Sequence, residues 1–401
     1  MKKRILNIAP WLLVAVLTFS FIGCNVEPET VTTTKTNSTT VTNTTTATEA
    51  TTETVTGTVT EIATETITVT ETPTTTTTTD PETRTITDMY GRELEVPYHI
   101  DRVLCTTPVE MELVFMLAPD KLAGLCFTFN GDPALVPEEY ASLPVVGGWF
   151  GKNEGNYETF IAAGPDIIID SSEESITDRQ EMFGDIPVVG VDSGDLMFDY
   201  EAAIRFLGDL LEVEEQADEL IEYYKDAMLY VYDVLDDIPE ADRLRVYYAE
   251  GTEGLNTDPL GSQHTALLEF CGGINVADVQ LLEGYGMAEV SFEQILLWDP
   301  DVIIIGRGSQ AALYDEIMTN EIWQDLRAVQ DGRVYLRPDN PLSWFDGPPG
   351  PGQILGMYWM ISTLYPEETA GLDLGAKVEE FYSKFFHYNL SGDELTGLIG
   401  S

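Results

Sequence analysis

NYETFIAAGPDIII, at residues 156–169, and SFEQILLWDPDVII, at residues 291–304, are two copies of one pattern. In each copy an acidic residue, Glu158 or Glu293, stands near the start of a short amphipathic stretch. In both copies the same number of residues separates this acid from a Pro-Asp pair. A run of β-branched residues follows the pair. This order predicts a short helix, a turn and a buried strand. We therefore expect two lobes that are built on one plan.

Short apolar runs and amphipathic stretches alternate on both sides of these copies. The predicted strands are Val103-Leu104-Cys105, Leu122-Ala123-Gly124-Leu125, Asp166-Ile167-Ile168-Ile169, Val188-Val189-Gly190-Val191, Arg245-Val246-Tyr247-Tyr248, Val302-Ile303-Ile304-Ile305 and Val334-Tyr335-Leu336. Helical windows such as residues 109–117 and 157–163 separate them. The alternation is typical of an α/β protein with mainly parallel sheets flanked by helices.

Residues 200–238 change to a helical period, which Pro239 ends. A helix over about residues 214–236 would be about 35 Å long and could cross the back of two lobes. We therefore predict an N-terminal α/β lobe at residues 85–199, a linking helix region at residues 200–238 and a C-terminal α/β lobe at residues 239–401.

The N-terminal residues have the pattern of an export signal. Met1-Lys2-Lys3-Arg4 precedes an apolar run that is short for a stable bilayer span of about 20 residues. Phe21-Ile22-Gly23-Cys24 resembles a lipobox, which implies a signal peptide at residues 1–23 and a lipid on Cys24. An uncleaved N-terminal anchor is the alternative. In both cases the rest of the chain lies outside the cytoplasm, attached to the outer face of the cell membrane.

Residues 24–84 are predicted to form a disordered stalk. Threonine dominates residues 31–79, which lack aromatic residues and cannot bury enough apolar surface to fold. Asn37-Ser38-Thr39 and Asn43-Thr44-Thr45 are acceptor sequences for glycosylation. Such a Thr-rich stalk resembles those of archaeal surface proteins.

Composition excludes several classes of function. The formal net charge of −49 argues against nucleic acid as a partner. The sequence has no Gly-x-Ser-x-Gly, phosphate loop or His-Glu-x-x-His motif, so we predict neither an enzyme nor a cofactor. Without a cluster of histidines or a Cys-x-x-Cys pair, no metal site is predicted, and His264 is expected to be an ordinary polar residue. Cys105, Cys126 and Cys271 are predicted to be buried free thiols.

Several motifs from residue 85 onward occur in an order that is known from one family. They are Thr87-Asp88-Met89-Tyr90-Gly91-Arg92, Asn156-Tyr157-Glu158 with Pro165-Asp166, Gly272-Gly273-Ile274-Asn275, and Ser291-Phe292-Glu293 with Pro300-Asp301. In these motifs the chain resembles the iron-siderophore and cobalamin-type substrate-binding proteins of ABC importers. The resemblance implies two Rossmann-like lobes, joined by one rigid helix, in a chain that acts as a monomer.

The resemblance also implies functional residues. Two lobe-top glutamates of that family dock onto basic pockets of the permease dimer, and Glu158 and Glu293 match them; the alternative is that both are ordinary solvated acids at helix starts. Ligand is expected between the lobes, near the loops that follow the strands. The implied ligand-binding residues are Thr107, Phe127, Trp149, Phe150, Tyr285, Arg307, Trp344 and Phe345, of which Trp344 is the strongest candidate.

The sequence therefore predicts a lipoprotein that delivers a metal chelate or corrinoid to an ABC importer. Ferric siderophore, cobalamin, haem, nickel chelate and oxyanion all remain open as ligands. The segment around Trp344 resembles a subgroup with iron or nickel chelates, although Gly347 stands where that subgroup often has arginine. The alternative function is a cell-surface structural or adhesion protein with no transported ligand. The matched glutamates and the single long helix favour the receptor.

Overall fold

The structure is a computed structural model that describes residues 82–131, 133–194, 200–280, 287–306, 310–347 and 349–399. The chain divides into two units, Met1–Thr78 and Thr79–Ser401, and every described element belongs to the second unit. The predictions for the signal peptide, for Cys24 and for nearly all of the stalk lie outside the described residues, as do those for Tyr285 and Arg307.

The N-terminal lobe begins with an antiparallel hairpin and continues with a parallel sheet. Its elements are β1 (Thr83–Thr87), β2 (Glu93–Pro97), β3 (Val103–Cys105), α1 (Pro108–Leu117), α2 (Glu138–Ala141), α3 (Tyr157–Ala162), β4 (Ile167–Asp170), α4 (Ile176–Phe183) and β5 (Val188–Gly190). The parallel strands have the order β3-β4-β5. All residues of these strands are buried, which explains their continuous apolar runs.

The predicted strand at Leu122-Ala123-Gly124-Leu125 is wrong. This segment makes only isolated parallel bridges, from Leu122 to Val103 and from Leu125 to Val145. Its three side chains are nevertheless buried. A short apolar run identifies burial, and periodicity alone does not distinguish a strand from a buried connection.

Two helices connect the lobes, α5 (Tyr200–Leu211) and α6 (Glu214–Asp236). The bounds of α6 agree with the helix that the periodicity predicts. Glu212 adopts a positive φ of 61° between the two helices, which ends α5. One face of α6 is buried, and it packs against α1 and α5 on one side and against a helix of the C-terminal lobe on the other.

The C-terminal lobe contains a second parallel sheet. Its elements are β6 (Arg245–Ala249), β7 (Asn256–Thr257), α7 (Ala266–Phe270), β8 (Ile274–Asn275), β9 (Ala288–Glu289), α8 (Phe292–Trp298), β10 (Val302–Ile305), α9 (Gln310–Thr319), α10 (Arg327–Gln330), β11 (Val334–Leu336), α11 (Gln353–Leu364), α12 (Leu374–Phe385) and α13 (Gly392–Ile399). The sheet has the strand order β11-β10-β6-β8. The predicted α/β class with two lobes and a connecting helix is confirmed.

The largest hydrophobic core runs through both lobes and collects residues from α1, α5, α6, α11 and α12. Smaller cores cover the other face of each sheet. Cys105, Cys126 and Cys271 are buried and free, as predicted. None of the described helices is both long and apolar enough to cross a bilayer.

Candidate functional site

The Pro-Asp turn has the same contacts in both lobes. Asp166 Oδ2 accepts a hydrogen bond of 2.8 Å from the backbone N–H of Arg102, and Asp301 Oδ2 accepts one of 2.9 Å from the backbone N–H of Arg245. The guanidinium groups of the same arginines donate to carbonyl groups at the carboxyl ends of α3 and α8. The two copies of the repeat are therefore alike in their contacts as well as in their sequences.

The same equivalence holds at the starts of α3 and α8. Asn156 and Ser291 are the N-cap residues, and each side chain accepts a hydrogen bond from the backbone N–H three residues later, at 3.0 and 3.2 Å. Glu158 and Glu293 are the second residues of these helices, and both are exposed. A carboxylate is favoured at this end of a helix dipole. Each lobe thus presents one exposed acid at an equivalent position.

The carboxyl ends of the N-terminal strands carry a group of hydroxyl and carboxyl side chains. Thr107 follows β3 and Ser171 follows β4, and their side-chain oxygens are 3.2 Å apart. Glu110, in the first turn of α1, is bonded to the Thr107 hydroxyl and accepts 2.9 Å from Ser193 Oγ. Burial raises the pKa of Glu110 to about 7, although hydrogen bonds oppose this shift. The carboxyl group is therefore partly protonated at neutral pH.

A buried ion pair lies beside this group. Asp170, the last residue of β4, has no exposed surface and pairs with Arg179 of α4. The guanidinium carbon of Arg179 lies 5.0 Å from the centre of the Trp149 ring. Such stacking and pairing fix the guanidinium in position.

The carboxyl end of β6 carries a second polar group, which is formed by Asp258, His264 and Asp346. His264 Nδ1 lies 2.6 Å from Asp346 Oδ1, and the Tyr248 hydroxyl donates to Asp346 Oδ2 at 3.0 Å. Asp258 Oδ1 accepts 3.1 Å from Ser262 Oγ. Each of the three residues offers one donor atom, and these atoms lie within 4.8 Å of one another.

Burial shapes the electrostatics of this second group. Asp346 is fully buried and Asp258 is 1% exposed, while Glu250, directly after β6, is also fully buried. Burial raises the pKa of Asp258, and a side-chain hydrogen bond with Glu250 opposes the shift. Three carboxyl groups are thus concentrated at a site that water barely reaches, and the hydrogen bond between Asp258 and Glu250 requires a proton on one of the two.

Residues 103–341 match the sequence profile of a family described as periplasmic binding protein. The chain belongs to the periplasmic binding protein family. The match runs from β3 to just beyond β11, so it includes both parallel sheets and α6.

Two curated proteins are similar to parts of this periplasmic binding protein. The molybdate-binding protein MolA of Haemophilus influenzae is 29% identical over 140 residues, which are 35% of this chain and 38% of MolA. The Fe(3+)-citrate-binding protein YfmC of Bacillus subtilis is 43% identical over 47 residues, which are 12% of this chain and 15% of YfmC. The matched segments thus span well under half of either curated relative.

A solved structure matches over a much longer stretch. The ABC transporter solute binding protein from Sulfurospirillum deleyianum is 32% identical, with a TM-score of 0.72, over 79% of this chain and 99% of that one. This periplasmic binding protein is therefore of the solute-binding type that serves ABC transporters. Proteins of this type are extracytoplasmic, are not enzymes and deliver ligands to permeases.

The structure places the predicted ligand-binding residues of this periplasmic binding protein in different environments. Thr107 is half-buried beside Glu110, and Trp149 is half-buried in the smaller core of the N-terminal lobe. Phe127 and Phe150 are half-buried against the large core. Their ligand contacts stay predictions.

Trp344 and Phe345 have no exposed surface. The Phe345 ring packs against Tyr248, with ring centres 4.8 Å apart. The backbone of this loop lies directly on α11, because a Cβ atom added at Gly356 would overlap the Trp344 carbonyl oxygen. The loop therefore places the Asp346 side chain beside His264. A ligand contact of Trp344 stays a prediction.

The sequence prediction did not find Asp258, His264 and Asp346 as a group. His264 and Asp346 are 82 positions apart, so no local spacing connects them. One signal was available, since Asp346 follows the Trp344 segment that the sequence already marks as a candidate.

Two contacts join the lobes directly. The Asn130 N–H donates to the Pro341 carbonyl at 2.8 Å. Glu112 of α1 is buried and accepts a hydrogen bond from the backbone N–H of Gly352, at the start of α11. Burial raises the pKa of Glu112 to about 8, so this carboxyl group is largely protonated at neutral pH.

A cavity of about 540 Å³ lies elsewhere, among residues of α6, α11 and α12. Its lining includes Tyr230, Tyr358 and Lys377. Lys377 Nζ already lies 5.1 Å from the centre of the Tyr358 ring. None of its lining residues lies at a strand end, so we do not assign the solute to it.

Arg179→Met is expected to destabilise the protein by about 3–5 kcal/mol, because it leaves the buried Asp170 carboxylate without its cationic partner. Urea unfolding of both proteins measures this difference. Arg205→Met is the matched control, since Arg205 pairs with Glu201 and Asp218 on an exposed surface where water screens the charges. Equal losses for the two variants would contradict a stabilising role of the buried pair.

Proposed function

We propose that this protein is the receptor of an ABC importer for a metal chelate and that a lipid on Cys24 holds it at the outer face of the cell membrane. The observation that carries the proposal is the pair of equivalent acids, Glu158 and Glu293, one on each lobe. Both helices begin with a side-chain N-cap, and a Pro-Asp turn follows each of them. In each turn the aspartate accepts a hydrogen bond from the backbone N–H of an arginine. A two-lobed receptor that contacts two permease subunits needs such a matched pair.

The surface around each acid supports a docking role. Ile161 lies one turn after Glu158 and is 45% exposed, while Leu296 and Leu297 lie one turn after Glu293 and are 37% and 78% exposed. Exposed aliphatic side chains beside an acid fit a partner surface that combines basic and apolar groups. Each lobe therefore offers the permease the same two kinds of contact.

The polar groups at the carboxyl ends of the strands support a solute that carries a metal. The C-terminal lobe brings an imidazole and carboxylates together, and the N-terminal lobe brings hydroxyl groups and the Arg179 guanidinium. Parallel α/β sheets bind ligands at this edge. The names of both curated relatives also specify metal-bearing anions, molybdate and Fe(3+)-citrate.

Native mass spectrometry of protein extracted from its own membranes tests the proposal. We expect a mass increment for a bound metal complex, with a matching visible absorbance, and a second increment for the lipid that Cys24→Ser removes. Protein that carries no solute, and takes up none from a panel of ferric, nickel and corrinoid chelates, would favour the structural or adhesion alternative.

A further inference from the structure

We infer that Asp258, His264 and Asp346 form a coordination site for a first-row transition-metal dication such as Ni²⁺ or Zn²⁺. The inference deepens the proposed function, on which it rests for the role of the site in solute capture. The site lies at the carboxyl end of β6, in the C-terminal lobe. At this site the side chains of the protein itself would bind the metal.

The geometry of the three side chains suits coordination. One donor atom from each residue lies within 4.8 Å of the other two. Two donor atoms bound at about 2.1 Å lie at most about 4.2 Å apart, so a small shift of the side chains would let all three bind one ion. Neighbouring groups orient the carboxylates, because the Tyr248 hydroxyl bonds to the second oxygen of Asp346 and Ser262 bonds to Asp258. Such supporting hydrogen bonds are typical of metal ligands.

The charge balance of the site favours a cation. Glu250, Asp258 and Asp346 are each at most 1% exposed. Among the described residues, His264 supplies the imidazole that lies beside Asp258 and Asp346. Arg337, directly after β11, is paired with Asp339 at 3.1 Å and is also close enough to Tyr248 to act on its charge. A dication would displace the proton that the hydrogen bond between Asp258 and Glu250 requires, and it would compensate the buried carboxylates.

The donor types select the class of metal. Two carboxylates and one imidazole suit first-row transition dications, whereas Ca²⁺ and Mg²⁺ prefer oxygen donors alone. His264 is the more accessible ligand, with 15% of its side chain exposed, while the two aspartates are buried. The site therefore opens on the His264 side, where a chelator or water would complete the coordination sphere.

Titration of the metal-free full chain with NiCl₂ and with ZnCl₂, followed by calorimetry, tests the inference. We expect one site per chain, and His264→Gln and Asp346→Asn should each weaken binding by at least about ten- to a hundredfold, the loss that removal of a group supporting a ligand already causes. His99→Gln is the matched control, because His99 is an exposed histidine with 59% of its side chain accessible, and it should leave the affinity unchanged. CaCl₂ should bind much more weakly.

Titration with CoCl₂ adds a spectroscopic readout, since the visible bands of bound Co²⁺ should disappear in His264→Gln. The His264→Gln variant keeps the test decisive even if Asp346→Asn fails to fold. Metal binding that is equally tight in His264→Gln, or no one-to-one binding at all, would overturn the inference. A protein that binds the metals as expected but carries no solute would instead overturn the proposed function, because the titration involves neither chelator nor importer.

Discussion

Charge reversal of both docking acids, Glu158→Lys with Glu293→Lys, is expected to reduce importer-dependent uptake to the level of cells that lack the protein. In the proposed docking, lysine would place like charges opposite basic groups of the permease, where a carboxylate would gain charge-assisted hydrogen bonds. Both side chains are exposed on the surface of their own lobes, so the folded lobes should tolerate the change. Solute affinity should therefore stay at the wild-type value.

Three measurements separate docking from solute binding. Uptake in cells, and retention of the protein by its detergent-solubilised importer, report docking; calorimetry with the solute reports binding. Glu215→Lys is the matched control, because Glu215 is likewise an exposed second residue of a helix, in the first turn of α6. A double variant that loses solute affinity, or a control that loses uptake to the same extent, would refute the docking assignment.

Gly356→Ala is expected to destabilise the protein by about 3 kcal/mol or more, because overpacking against backbone is not relieved by a side-chain rotation. The new Cβ atom would overlap the Trp344 carbonyl oxygen and would also meet Leu267 Cδ2 at 3.0 Å. The loop that carries Asp346 must then move away from α11. Solute and metal binding should weaken together with stability, and urea unfolding with calorimetry measures both effects.

A glycine-to-alanine substitution in another helix should change the stability in the opposite direction. Gly397 lies in α13, is exposed, and has no atom within 4 Å of an added Cβ. Gly397→Ala should therefore stabilise the protein by about 0.5–1 kcal/mol through the higher helix propensity of alanine. If Gly356→Ala proved as mild as this control, the close approach of the loop to α11 would not be a constraint on the fold.

Local pattern was enough to predict most of the fold. The buried strands β3, β4, β6 and β10 and the long helix α6 were predicted within a residue or two, because their signals are short apolar runs or a sustained helical period. The prediction of a strand at Leu122 was wrong for the same reason, since an apolar run indicates burial and not backbone pairing. The equivalence of Glu158 and Glu293 was also visible, because a repeated interval along the chain needs no knowledge of folding.

The candidate site was harder to predict. The sequence drew attention to aromatic residues near strand ends, and the structure places Trp344 and Phe345 inside the core. Lone histidines are seldom ligands, so the sequence predicts an ordinary polar role for His264, whereas the fold places Asp346 Oδ1 2.6 Å from its Nδ1. Burial and proximity arise from packing between distant segments, and neither is a property of local spacing.

The sequence by itself therefore determined the two-lobed α/β plan, the connecting helix and the matched acids, since each depends on periodicity or on a short repeat. Only the tertiary structure decided which polar side chains meet at the strand ends. The Trp344 loop reaches that edge because glycine at position 356 lets its backbone lie against α11. A contact of this kind joins residues far apart in the chain, and its energy comes from close packing that no single segment contains.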